Sequence, residues 1–158
     1  MLRMGAVVAL SALALGLGGC EGRAKADAAE SAERLLAAAE AGDRVAFEAE
    51  IDRRAVREDV RRQIIDLARE TGVEVDGGPS DLALDRMIGP NAIRVVRAGP
   101  AQPMKDRLKM TGGKACLPGE GGRCLLTFAK EKSGQKDRWR LVGMQAMDLT
   151  VEVAEAGD

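Results

Sequence analysis

The chain has 158 residues, 46% apolar and 31% charged, enough for one domain with a core and hardly two. Its 24 basic and 25 acidic residues leave a formal charge of −1, which excludes the polycationic face that nucleic acid requires. Histidine and tyrosine are absent, so the usual general base and the commonest metal ligand are both missing, and with 2 Phe and 1 Trp the core must be aliphatic.

Residues 1–19 read MLRMGAVVALSALALGLGG. Arg3 makes a positive start. Ala6 to Leu17 is apolar but shorter than the roughly 20 residues a bilayer span needs, and small residues follow. The expectation is a cleaved signal peptide over 1–19. Leu17-Gly18-Gly19-Cys20 resembles the lipobox of bacterial lipoproteins, an aliphatic residue and two small ones before a cysteine. That resemblance implies acylation of the Cys20 sulfur, cleavage before Cys20 and N-acylation of the new terminus. Several acyl chains on one residue hold a protein at a membrane where a single chain would be marginal. Glu21, where an Asp would signal inner-membrane retention in enteric bacteria, implies the outer membrane, on its periplasmic face, ahead of the inner.

Residues 20–30 are rich in Ala and charge and read as a lipidated tether able to become helical; 31–158 read as a single domain. Leu35, Leu36 and Ala39 mark a helix that Gly42 ends. Asp43 caps a short turn carrying Val45, Phe47 and Ile51. Asp52 caps a longer helix, on which Val56, Val60, Ile64 and Leu67 form an apolar stripe. After the breaker VEVDGGPS, a short helix follows from Ser80 or Asp81 through Leu82, Leu84, Met87 and Ile88. Pro90 suits a first helical position, so 91–98 reads as helix, with strand as the alternative because Ile93, Val95 and Val96 are β-branched. Residues 99–113 read as loop.

The last third changes period. Cys124, Leu126 and Phe128 alternate with Leu125, Thr127 and Ala129; after the turn KEKSGQKD, Trp139, Leu141 and Gly143 alternate with Arg138, Arg140, Val142 and Met144. This is a hairpin, and Leu149, Val151 and Val153 offer a third strand. The expected fold is α+β, N-terminal helices packed on a short C-terminal antiparallel sheet, either a hairpin or a three-strand meander. The stretches AGD…F…ID…VR, the middle GP and the terminal LTFAKE…RWRLVGMQ resemble small bacterial envelope domains of unknown function, some similar to the NTF2-like cone. That resemblance implies helices wrapped by a curved sheet with a pocket between, and transfers no catalytic residue.

With Cys20 acylated, Cys116 and Cys124 remain as a pair in an oxidising compartment, and the Pro-Gly and Gly-Gly steps between them let the chain turn back. A structural disulfide is expected, since redox pairs favour closer spacing. Met104, Met110, Met144 and Met147 suggest thioether ligands for copper, but Met also fills cores that lack aromatics, and no metal or cofactor is expected. Arg53, Arg57 and Arg61 form a basic ridge that Glu50, Glu58, Asp59 and Asp66 should neutralise as a solvated ion-paired face. No catalytic residue is assigned. Phe47, Ile64, Trp139 and Met144 are the candidate surface for a ligand or partner. The function expected is a membrane-anchored, non-enzymatic binding or envelope-assembly module. Its partners would be the membrane, through Cys20, and an envelope protein or small apolar ligand. The alternative is a small hydrolase with an acid-only site.

Overall fold

The computed structural model describes residues 18–74, 76–99, 102–131 and 138–155. The expected signal peptide lies, but for its last two residues, outside the described residues, as does most of the hairpin turn. No described helix is long and apolar enough to cross a membrane.

Among the described residues five α-helices come in order: α1 (Gly18–Ala41), α2 (Arg44–Ala49), α3 (Arg53–Glu70), α4 (Asp81–Met87) and α5 (Met104–Arg107). Alanine, the best helix former, dominates α1 and carries it back through the stretch read as a tether, where Ala28 and Ala29 are already buried. Small buried side chains at Ala28, Ala32 and Ala39 let this helix lie close against its neighbours. The predicted caps form. Asp43, Asp52 and Ser80 side chains accept from the backbone N–H of Ala46 (2.9 Å), Ala55 (3.0 Å) and Ala83 (3.3 Å). Gly42 takes φ +65°, the left-handed conformation that ends α1 cheaply.

The described residues also form six strands, the first of them ahead of α5: β1 (Arg94–Arg97), β2 (Lys109–Thr111), β3 (Lys114–Pro118), β4 (Cys124–Glu131), β5 (Arg138–Met144) and β6 (Thr150–Val153). The fold is α+β, helices before sheet, as expected, with an antiparallel meander in the order β2-β3-β4-β5. Three features differ from the sequence reading. Pro90 opens only a three-residue turn, and the β-branched residues after it make the strand β1. Within 99–113, read as loop, α5 and β2 form. The strand around Val151 pairs in parallel with β1 and not with the hairpin.

Phe128 sits opposite Leu141 and Leu117 opposite Leu126, so one face of the meander is apolar. It meets Leu35 of α1, Phe47 of α2, and Val56 and Val60 of α3 in one buried cluster. Each such side chain taken from water contributes about 1.5–3 kcal/mol. The outer edge of β5 is covered by residues 50–52: Leu141 N–H donates to Glu50 C=O (2.9 Å), and Asp52 N–H to Leu141 C=O (2.8 Å). The disulfide Cys116–Cys124 joins β3 to the start of β4, with the two Cα atoms 5.4 Å apart.

Candidate functional site

The apolar stripe of α3 outlasts the sheet beneath it. Val56 and Val60 are buried, but β5 ends at Met144, and Gln63 fixes the chain beyond it. Its Nε2 donates to Met144 C=O (2.8 Å), and its Oε1 accepts from Ala146 N–H (3.1 Å). Residues 145–148 then lead away toward β1, with Asp148 at φ +52°, a left-handed conformation Asp tolerates better than most residues. Ile64, half-buried, and Leu67, 42% exposed, therefore face an open groove of about 1080 Å³.

One wall of the groove is the second half of α3, with Gln63, Ile64, Leu67 and Glu70. The facing wall is the disulfide-closed loop, Pro118 to Arg123, with Leu125. That loop lies so close on Leu125 that a Cβ at Gly119 would come within 2.6 Å of its side chain, so a larger residue there would have to push Leu125 aside. Gly119 N–H donates to Arg123 C=O (2.7 Å), closing the turn, and Gly121 and Gly122 adopt φ +70° and +79° inside it. Ala146, Met147, Thr150 and Glu152 complete the lining. The carboxylates of Asp66, Glu70, Glu120, Asp148 and Glu152 outnumber the guanidiniums of Arg107 and Arg123 around it. A smaller apolar cleft of about 290 Å³ lies between α1 and α5, edged by the Glu40–Arg97 ion pair.

The four residues expected to form a ligand surface divide. Ile64 lines the groove. Phe47, Trp139 and Met144 are buried core side chains: with so few aromatics, the chain spends its large side chains on the interior. Met104 is likewise buried, and Met147 lines the groove. Cys20 is exposed on the first turn of α1. Among the described residues no group of three His, Cys, Asp or Glu side chains could hold a metal ion.

The basic ridge of α3 is ion-paired, but with other partners than those expected. Arg57 clamps Asp85 of α4 with two bonds (2.6 and 2.7 Å), Arg53 reaches Asp85 (2.8 Å) and Glu48, and Arg61 reaches Asp81. The hydrogen bonds from Arg57, with those from Arg53, hold the Asp85 carboxyl below its ordinary range. The ridge thus straps α4 to α3.

Glu50 has a different task. It is buried, and its carboxylate accepts from Arg34 Nε (3.0 Å) and Arg138 Nη2 (2.8 Å), with Ser31 Oγ 3.1 Å away. Burial, the largest single influence, opposes its ionisation. The hydrogen bonds and charge of Arg34, with Ser31 and Arg138, outweigh burial and hold it below the ordinary carboxylate value. Ser31 Oγ also lies 2.9 Å from Trp139 C=O, so this network joins α1, the α2–α3 junction and β5. It does not border the groove.

Sequence reasoning placed Leu67 on the apolar stripe without making it a site residue, and it passed over other groove residues, Gln63 and the loop acid Glu120 among them. The one signal available was Leu67, the last member of a stripe longer than a short sheet could cover. No family model, curated protein or solved structure matches this chain.

Proposed function

We propose that the chain is a lipid-anchored, non-catalytic binding module of the bacterial cell envelope, and that it binds its partner in the groove beside α3. The observation that carries this reading is the groove itself, an apolar floor with a polar rim at the open end of an otherwise filled helix–sheet junction. The exposed place of Cys20 supports acylation there, as the lipobox resemblance implies. The one buried carboxylate among the described residues, Glu50, supports binding over hydrolysis. It is outside the groove and arginines keep it ionised, whereas a general acid must hold a proton near neutral pH.

Two measurements in the producing cell test the reading. Metabolic labelling with a fatty acid should mark the protein and be lost in Cys20→Ala; equal labelling of both overturns the anchor. A photo-crosslinking side chain placed at Leu67 should give an adduct that the same side chain at Val45, 82% exposed and away from the groove, does not give. The absence of an adduct at Leu67, or the same adduct at both, overturns the binding site.

A further inference from the structure

We infer that the groove takes an extended peptide segment in which basic and apolar residues alternate, added as a strand along the outer edge of β6. The inference rests on the reading of the chain as a binding module and names its ligand class.

The edge comes first. β6 pairs with β1 in parallel, Arg94 opposite Thr150 and Val96 opposite Glu152. Arg94 N–H donates to Leu149 C=O (2.9 Å). In a parallel pair of that phase, Arg94 and Val96 bond to residues 149, 151 and 153, so the N–H and C=O groups of Thr150 and Glu152 turn the other way. Thr150 and Glu152 both line the groove. Arg107 Nη1 donates to Glu152 C=O (2.6 Å), which shows that a donor reaches this edge. Among the described residues no partner takes the Thr150 N–H, the Thr150 C=O or the Glu152 N–H. An edge with three of its four outward groups unpaired is a template for a further strand, which would take the Glu152 carbonyl over from Arg107.

The side chains select the occupant. Ile64, Leu67, Leu125 and Met147 give the alternate residues of an added strand an apolar floor. Glu70, Glu120, Asp148 and Glu152 line the same space and have no ion-pair partner among the described residues, while Asp66 pairs with Arg69 (3.2 Å). This is the reverse of the α3–α4 strap, where arginines and acids are matched. Lys or Arg side chains on the other residues of the strand would complete the balance. An acidic peptide or an anionic headgroup would be repelled. A four-residue edge fixes about four residues of partner, roughly 13 Å of strand.

The test uses the purified full chain carrying Cys20→Ser and a fluorescent peptide, acetyl-Lys-Val-Lys-Leu-Lys-Val-Lys-amide, read by anisotropy. Binding should weaken by about tenfold or more, a loss of about 1.4 kcal/mol, when Glu replaces Lys in the peptide. Methylating the backbone nitrogens of one alternate set of peptide residues should cost as much, and methylating the other set little, because only one set faces β6. Leu67→Glu makes the groove more acidic yet should also weaken binding, which separates docking from plain charge attraction. Equal binding of the Lys and Glu peptides, or indifference to both methylated sets, overturns the inference. So does a concentration-dependent dimer that Leu67→Glu dissolves, since the occupant is then a second copy of the chain. If no peptide binds while the Leu67 crosslink still captures a partner, the peptide class falls and the binding module stands; if the crosslink fails too, both fall.

Discussion

The two halves of α3 carry one apolar stripe and meet opposite fates. In the first half, Val56 and Val60 are buried against the meander, and Arg53 and Arg57 have matched acids from outside the helix. In the second half, Ile64 and Leu67 continue the same spacing, but β5 has ended, and they wall a groove whose carboxylates exceed its guanidiniums. A periodic stripe records that a helix face is apolar. What covers that face depends on where the neighbouring strand stops, and here Gln63 decides it by holding the chain at Met144 and Ala146. The filled half contributes to the core, and the unfilled half stays open as a groove.

The comparison is broken most forcefully at the wall facing the second half. Replacing Cys116 and Cys124 by Ser opens a short loop, of sequence separation 8, and should cost about 2–3 kcal/mol of stability in the chain-entropy account. Because that loop is the groove wall, affinity for the lysine peptide should fall as well. Urea unfolding and peptide titration on the same variant decide it. A lower midpoint with unchanged affinity would show that the loop does not shape the groove.

The part of this contrast that could be read in advance was the local part. Asp43, Asp52 and Ser80 announce helix starts because a short side-chain acceptor beside an apolar run satisfies a bare N–H. The alternation around Phe128 and Leu141 announces a hairpin, and two cysteines about a glycine-rich turn announce their bond. The strands β2 and β3 gave too little signal: one has three residues and the other ends on Pro118, where a glycine-rich stretch reads as loop. The parallel pairing of β1 with β6 is wholly non-local, and it is this pairing that brings Thr150 and Glu152 to the groove. Ile64 was found because it belonged to a stripe. Phe47 and Trp139 are large and rare, and Met144 is long and flexible; in an aromatic-poor chain all three are drawn into the core.

Cutting the same stripe on either side of the divide gives the sharpest contrast. Val60→Ala removes packed methyl groups and should cost about 2 kcal/mol, transfer and cavity together. Leu67→Ala, at an exposed position, should change stability by less than about 0.5 kcal/mol while weakening peptide binding. Thermal melts at matched concentration, with titrations alongside, read both. Equal destabilisation by the two changes would mean that the groove closes in solution and that the halves do not differ.

The smallest effect concerns the charge that closes the packed side. Glu50→Gln keeps the shape of the side chain and its bond to Ser31, but loses the charge that Arg34 and Arg138 grip. Both guanidiniums are nearly half exposed, so the cost at neutral pH should be about 1 kcal/mol, below that of a fully buried pair. The pH dependence gives the more specific signature. The folded carboxyl titrates below the ordinary value of 4.5. Above that value Glu50 is ionised in both states, and its contribution is fully present. As pH falls below it, the unfolded chain takes up the proton first, so acid favours unfolding until the folded carboxyl is protonated too. Native protein should therefore lose stability over that window, and the gap to Glu50→Gln should narrow as the pH drops. Urea midpoints at neutral pH and at successive acid steps measure the gap. A gap that stays constant through the window would mean that the arginines do not hold Glu50 in its charged form.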